Sequence, residues 1–293
     1  MKIIEVTNLT RDYGGGKGIF DLTFSIDKGE VFGFLGPNGA GKTTLIRHLM
    51  GFLKPLSGTC NISGMDTRTM SHILQKNIGY LPSEITFFDD MTGKEFFEFL
   101  RSYKNIANTE KMTELIKMFE LDDSLKINKM SKGTKQKVGI VAAFMVDPEI
   151  IILDEPTSGL DPLMQNRFVE LIIKEKKKGR TIFISSHDFE EIDRTCDRVA
   201  IIKNGKLVTI ETLEKLKEKQ QKKYTVKFVD DKIAKKFATD YDGTTLDNYV
   251  TIAIKNNLND FIKGLTKYNI LDLSVANQNL EDIFMGYYKE SQK

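Results

Sequence analysis

The stretch Gly36-Pro-Asn-Gly-Ala-Gly-Lys42-Thr43-Thr44 decides the fold of this chain. It matches the phosphate-loop pattern GxxxxGK(S/T) in full, between the apolar run Val31–Leu35 and the helical run Leu45–Gly51. Its glycines let the backbone close around a phosphate where a Cβ would collide, and the charge of Lys42 suits the β and γ phosphates. The Thr43 hydroxyl can bind Mg²⁺. The motif therefore predicts a nucleoside triphosphate site formed by Gly36, Pro37, Asn38, Gly39, Ala40, Gly41, Lys42, Thr43 and Thr44.

Two adjacent carboxylates, Asp154 and Glu155, end the apolar run Ile150–Leu153. Neighbours on a strand point to opposite faces, so the two side chains can do different work. We expect Asp154 to hold Mg²⁺ through water and Glu155 to polarise the water that attacks the γ-phosphate. A solvated, charged strand end is the alternative, and the phosphate loop upstream argues against it.

The order of elements predicts an α/β core. From Met1 to about Gly205, short β-branched runs alternate with helical stretches. Between Ile3 and Ile26 the apolar residues instead alternate along two strands, which predicts an antiparallel β flap leading into the core. From about 83 to 135 helical spacing replaces the strand signal. We therefore expect a phosphate-loop NTPase core with a β flap and a helical insertion.

A second, smaller domain is predicted after the core. The charged stretch 212–223 has few apolar residues and indicates a solvated linking helix, so we set the boundary near residue 220. The domains are then 1–220 and 221–293. In the second, the elements follow the order βαββαβ, which predicts a small ferredoxin-like α+β body without a catalytic motif. A final helix is expected through Leu280, Ile283, Phe284 and Tyr287.

Composition excludes several classes of protein. Lys+Arg 43 against Asp+Glu 41 gives a net charge of +2, without the basic excess typical of nucleic-acid binding, so no nucleic-acid partner is expected. The longest apolar run, Val138–Val146, is too short to cross a bilayer. The N-terminus lacks the apolar centre of a signal peptide, which predicts a cytoplasmic protein. Cys60 and Cys196 are expected to pack as reduced apolar side chains.

The segment Met130-Ser-Lys-Gly-Thr-Lys-Gln136 completes a recognisable set of motifs, and with it the sequence resembles the ATP-binding-cassette (ABC) family. In that family a segment usually written LSGGQ follows the helical insertion and opens a helix. Ser131 and Gly133 fit this signature, whereas Lys132 and Thr134 depart from a glycine and from the glutamine. The resemblance implies that Ser131, Lys132, Gly133 and Thr134 face the γ-phosphate of an ATP molecule held by a second subunit.

Three further segments resemble parts of the same family. Ser158-Gly-Leu-Asp161 looks like the loop at the dimer interface, where Asp161 lies. Ser185-Ser-His187-Asp188 looks like the switch, in which His187 bonds the γ-phosphate and orients water. Tyr13 resembles the aromatic residue that stacks on adenine, although a tyrosine packed under the flap remains an alternative.

One position departs from the family pattern. The family usually carries a glutamine after the strand Ile78–Pro82, in contact with Mg²⁺ and water, and this chain has Ser83-Glu84. Two interpretations remain open. Either Glu84 binds the metal through water, or the coupling at this joint relies on backbone movement alone.

The resemblance implies an ATP-hydrolysing subunit of an ABC transporter, with ATP and Mg²⁺ as cofactors. The expected partners are a second ATP-binding subunit, in a homodimer closed by ATP, and a separate transmembrane permease. The permease would hold this cytoplasmic chain peripherally at the inner face of the cell membrane. We expect the permease to contact the aromatic residues of the helical insertion, Phe87, Phe88, Phe96 and Phe97, although packing in the core is an equal alternative for any one of them.

Three features favour export. Glu84, the variant signature and the ending Leu280–Phe284 resemble the ABC-2-type exporters of drugs, antimicrobial peptides, lipids or polysaccharides. Two other functions stay open: a soluble cassette ATPase that acts on ribosomes or DNA, and a nucleotide-binding regulator without turnover. Glu155 argues against the regulator.

Overall fold

The computed structural model describes residues 1–88, 90–218, 222–254 and 258–277. The chain forms two compact units, Met1–Leu213 and Glu214–Lys293. Within the described ranges, no helix is long and apolar enough to cross a membrane.

The first unit alternates strands and helices. In chain order its elements are β1 (Lys2–Asp12), β2 (Gly18–Asp27), β3 (Val31–Leu35), α1 (Lys42–Leu49), β4 (Ser57–Ile62), β5 (Met65–Asp66), α2 (Ser71–Asn77), β6 (Ile78–Leu81), α3 (Gly93–Tyr103), α4 (Glu110–Met118), a 3-10 turn (Ile127–Lys129), α5 (Lys132–Phe144), β7 (Ile150–Asp154), α6 (Pro162–Lys177), β8 (Thr181–Ser186), α7 (Phe189–Thr195), β9 (Arg198–Lys203) and β10 (Lys206–Thr212).

A six-stranded sheet in the order β10-β9-β3-β8-β7-β6 forms the centre of this unit. All neighbouring strands are parallel except β10, which runs antiparallel to β9. The strands β3 and β7 are buried along their whole length, as expected for a parallel sheet covered on both faces. Leu35 pairs with Ser186, and Asp154 pairs with Ser185. The phosphate loop, the carboxylate pair and the switch therefore leave the sheet at one edge.

The antiparallel flap is a separate sheet in the order β2-β1-β4-β5. It packs on the central sheet through aromatic rings: Phe24 of β2 stacks on Phe32 of β3, with ring centroids 5.5 Å apart. Both side chains belong to one buried cluster that also includes Leu45 and Leu49 of α1. The predicted α/β fold with an antiparallel flap is confirmed.

The helical insertion contains α3 and α4. A capping box starts α3, because the Thr92 side chain accepts a hydrogen bond from the Glu95 backbone while the Glu95 carboxylate accepts one from Thr92. Ion pairs Lys111–Glu175 and Lys174–Glu114 join α4 to α6. Phe97 is only 1% exposed. Of the two alternatives for Phe97, a partner surface and the core, the structure therefore shows the core, because α3 turns this side chain inward.

The elements of the second unit are α8 (Leu213–Glu218), which begins at the division, β11 (Lys222–Phe228), α9 (Asp231–Tyr241), β12 (Thr244–Leu246), β13 (Tyr249–Ile254), α10 (Leu258–Leu265) and β14 (Ile270–Asn277). Its four strands form an antiparallel sheet in the order β12-β13-β11-β14, with helices packed against it. The connection βαββαβ and this order are those of a ferredoxin-like fold. A two-residue turn at Asp247-Asn248 joins β12 and β13, with Asp247 at a φ of 53°. The predicted final helix through Leu280, Ile283, Phe284 and Tyr287 lies outside the described residues.

Candidate nucleotide site

The phosphate loop joins the buried end of β3 to the first turn of α1. A Cβ added at Gly36 would lie 2.5 Å from the backbone oxygen of Ile202, so only glycine fits there. Gly41 has a φ of +109°, a conformation that side chains disfavour, and it allows α1 to begin at Lys42. The first-turn N–H groups of α1 have no intrahelical acceptors and carry the positive end of the helix dipole. The loop therefore has the geometry of an anion cradle.

The Lys42 side chain is buried at the centre of this loop. Its Nζ donates to the backbone oxygens of Gly36 at 2.6 Å and Pro37 at 3.2 Å. The same Nζ lies 2.9 Å from Glu155 Oε1. One ammonium group thus connects the phosphate loop with the end of β7.

A chain of hydroxyl and carboxylate oxygens runs across the edge of the sheet. Thr43 Oγ1 donates to Asp154 Oδ2 at 2.7 Å, and Ser185 Oγ donates to Asp154 Oδ1 at 2.5 Å. Asp154 has no exposed surface. A buried carboxylate next to a threonine hydroxyl is a set of hard oxygen donors, which fits Mg²⁺ bound partly by phosphate oxygens and water.

Glu155 and His187 are in direct contact. His187 Nδ1 lies 2.6 Å from Glu155 Oε2, although the two residues end different strands. Glu155 has a φ of 51°, an unusual conformation for a residue with a long side chain. Two hydrogen bonds from its N–H hold this conformation, to the backbone oxygen of Ser185 at 3.1 Å and to Ser185 Oγ at 3.2 Å. The turn at Glu155 directs its carboxylate towards both His187 and Lys42.

The signature segment forms the start of α5. Ser131 is the N-cap, and its Oγ accepts a hydrogen bond from the Thr134 backbone at 3.1 Å. Lys132 Nζ donates to Ser158 Oγ at 3.1 Å. Among the described residues, the side-chain hydrogen bonds of Ser131, Lys132 and Thr134 stay within this turn or reach Ser158, and none reaches the phosphate loop.

The predicted interface loop packs tightly on the signature turn. A Cβ added at Gly133 would lie 2.6 Å from the backbone oxygen of Gly159. Beyond this contact, Asp161 caps α6, with its Oδ1 accepting from the Met164 backbone at 3.0 Å. The two segments therefore form one continuous surface.

Tyr13 and Glu84 lie at the surface. The Tyr13 ring is half exposed, and the Arg11 guanidinium lies 5.2 Å from its centroid. The ring is therefore accessible rather than buried under the flap. Glu84 is exposed in the segment that follows β6.

Comparisons with known proteins agree with this geometry. A sequence profile described as ABC transporter matches residues 19–158. The ABC transporter ATP-binding protein YhcH of Bacillus subtilis (strain 168) is 32% identical over 298 residues, which cover 99% of this chain and 97% of that protein. The chain belongs to the ATP-binding proteins of ABC transporters. ATP hydrolysis is general to this family, and its cassettes bind ATP or ADP.

Two further proteins are similar to this ABC protein. The bacitracin transport ATP-binding protein BcrA of Bacillus licheniformis is 37% identical over 223 residues, which cover 75% of this chain and 73% of BcrA. The dimeric structure of MJ0796, a bacterial ABC transporter cassette, matches with a TM-score of 0.65 and 26% identity, over 72% of this chain and 99% of that one.

Sequence reasoning missed several residues that position the site of this ABC protein. Gln136 Nε2 donates to the backbone oxygen of Pro156 at 2.8 Å and so supports the turn after Glu155. Ser185 holds both Asp154 and Glu155. Glu191 is buried beside the switch. Gln136 and Ser185 occur inside recognised segments, but no spacing indicated their contacts.

Proposed function

We propose that this chain binds and hydrolyses Mg-ATP and drives export by a separate membrane subunit. The convergence of Lys42, Glu155 and His187 at one edge of the sheet carries the proposal, because it combines a phosphate cradle with a carboxylate and an imidazole. The names of the relatives favour a transporter over a soluble ATPase that acts on ribosomes or DNA.

Each of these side chains has a role in the proposed reaction. Lys42 and the N–H groups at the start of α1 bind the β and γ phosphates. Thr43 and Asp154 hold Mg²⁺, which neutralises phosphate charge when it is bound. Glu155 accepts the proton of the attacking water, and His187 orients that water and the γ-phosphate.

The site is completed by a second subunit. ABC cassettes act as dimers, and MJ0796 is described as dimeric. We infer a head-to-tail homodimer in which the signature residues Ser131, Lys132, Gly133 and Thr134 contact ATP on the partner. The packing of Gly133 against Gly159 supports this inference, because it brings the signature and the loop of Asp161 onto one surface.

A groove on the first unit suits a helix of the membrane partner. It has a volume of about 480 Å³ and lies between α2, β6 and the helical insertion. Phe52 and Tyr103 line it and are more than half exposed, and Lys76 and Lys104 add positive charge. An apolar groove with a basic rim fits an amphipathic helix that carries aromatic and acidic side chains. Binding there would place this subunit at the inner face of the membrane.

Export of a drug-like or peptide cargo is the favoured direction. BcrA is named for bacitracin transport, and its match covers most of this chain. The cargo itself would bind the permease.

Purification of the complex tests the function. The chain is isolated from detergent-solubilised membranes, and proteins that accompany it are identified by mass spectrometry. We expect a polytopic membrane protein with the wild type and its loss with Tyr103→Ser in the groove. Ile173→Ser, at an exposed apolar residue of α6 outside the groove, is the control. Equal recovery with Tyr103→Ser would contradict the groove, and a chain without ATPase activity would contradict the proposed function.

A further inference from the structure

Glu191 is a buried acid that the proposed mechanism does not use. It lies in the first turn of α7 and is only 5% exposed. Among the described residues, no cation lies within ion-pair distance of its carboxyl group, whose polar contacts are the hydroxyl groups of Ser186 and Thr157. Burying a carboxyl group in this way costs free energy, so its retention needs a reason.

The other oxygen of Glu191 anchors the switch. Ser186 Oγ donates to Glu191 Oε2 at 2.6 Å. The same Oγ accepts a hydrogen bond from the backbone N–H of Asp188 at 3.0 Å. Ser186 and Asp188 flank His187, so one hydroxyl group fixes both sides of the turn that carries the imidazole.

This turn is also tied to the rest of the site. The backbone N–H of Gly36 donates to the backbone oxygen of Ser186 at 3.2 Å. On the other side, His187 reaches Glu155 at 2.6 Å. A shift of Ser186 would therefore move the imidazole relative to Glu155 and disturb the start of the phosphate loop.

The surroundings of Glu191 favour the protonated carboxyl group. Burial raises its pKa to about 8 against the opposing hydrogen bonds from Ser186 and Thr157, and the negative charges of Asp188 and Glu155 act in the same direction as burial. Cys196 also faces Glu191, and burial raises the pKa of that thiol to about 12, so it adds no charge at neutral pH. Ionisation of Glu191 would place an unpaired negative charge beside two other carboxylates.

We propose that Glu191 is a positioning residue: its carboxyl group holds Ser186, fixes the turn 186–188 and keeps His187 at Glu155 for ATP hydrolysis. This inference rests on the proposed function. Above the pH at which Glu191 ionises, repulsion from Asp188 and Glu155 loosens the turn and slows turnover.

The test compares Glu191→Gln with Glu191→Ala across a range of pH. Gln keeps the shape of the protonated acid and cannot ionise. We expect wild-type kcat to decline above about pH 8, the decline to be absent in Glu191→Gln, and Glu191→Ala to lose on the order of ten-fold in kcat at every pH with little change in KM. Glu190→Gln is the matched control, because Glu190 is the exposed neighbour on the same helix.

A second readout does not depend on turnover. The chain has only three histidines, so the imidazole signals of His187 can be followed by NMR in the nucleotide-free protein. We expect Glu191→Ala and Ser186→Ala to shift the His187 signals and to leave those of His72 unchanged, with the double variant no worse than either single one.

These two readouts separate the possible failures. Unchanged His187 signals in both variants, or identical pH profiles of wild type and Glu191→Gln, would overturn the positioning role. A wild type that hydrolyses no ATP, but whose His187 signals respond to Ser186→Ala, would contradict the proposed function and support the contact.

Discussion

Lys132 Nζ donates a hydrogen bond to Ser158 Oγ at 3.1 Å. This contact joins the first turn of α5 to the loop that precedes Asp161, and the side chain of Lys132 also packs on Gly159. Lys132, one of the two residues that depart from the family signature, therefore joins the two segments that we expect at the dimer contact.

Loss of the hydrogen bond between Lys132 and Ser158 should weaken the coupling between the two subunits of the proposed dimer. Lys132→Ala and Ser158→Ala each lose one exposed hydrogen bond, so we expect a decrease of about two- to five-fold in kcat/KM. The double variant should lose no more than the larger single effect, because both changes remove the same bond. Steady-state ATPase assays measure kcat/KM, and Lys129→Ala, at an exposed position, is the control. Additive losses would contradict a shared contact.

Lys42→Ala should lower nucleotide affinity. The missing ammonium acts on bound ATP as well as on the transition state, so affinity should fall by about ten- to a hundred-fold. Titration calorimetry with Mg-ATP measures the change, and Lys54→Ala at an exposed position serves as control. Wild-type affinity in Lys42→Ala would exclude the assigned site.

Glu191 should make stability depend on pH. Its pKa is raised from the usual 4.5 to about 8, so between these pH values the unfolded chain releases a proton that the folded chain keeps. The stabilisation is fully present below about pH 4.5 and is lost as pH rises to about 8. Relative to Glu191→Gln, the free energy of unfolding of the wild type should fall across this window and then level off. Urea unfolding at several pH values measures it, and a constant difference would contradict the shift.

The second unit should affect regulation rather than nucleotide binding. The first unit has its own buried cluster, so truncation after Glu218 should preserve ATP affinity. We expect a changed ATPase rate or weaker assembly with the membrane partner. If hydrolysis, dimerisation and partner binding all match the full chain, the second unit has no such role.

The sequence was most informative where a motif requires a backbone shape. The glycines of the phosphate loop demand a turn before a helix, and the buried runs that end at Leu35, Asp154 and Ser186 predict parallel strands with a shared edge. The sequence predicted the α/β core and assigned Lys42 and Glu155 to one nucleotide site, and in the structure Lys42 Nζ lies 2.9 Å from Glu155 Oε1.

Contacts that depend on the orientation of a helix relative to its neighbours could not be predicted from the sequence. The hydrogen bond between Ser186 and Glu191 forms only when the first turn of α7 directs Glu191 towards the switch. The local spacing of residues does not reveal which side of this helix faces inward. For the same reason the sequence left Phe97 open between the core and a partner surface, since the apolar stripe of α3 fits either one. Lys132 and Ser158 are 26 positions apart, so their bond depends on tertiary structure alone.

We infer that ATP closes two copies of this chain around Glu155, and the variant Glu155→Gln gives the sharpest test of this inference. The variant keeps the phosphate loop and loses the acceptor for the proton of water. Size-exclusion chromatography with light scattering, with and without Mg-ATP, measures its mass. We expect ATP binding without multiple turnover and an ATP-dependent dimer of twice 33.3 kDa. A variant that stays monomeric in Mg-ATP and hydrolyses ATP at the wild-type rate would contradict it.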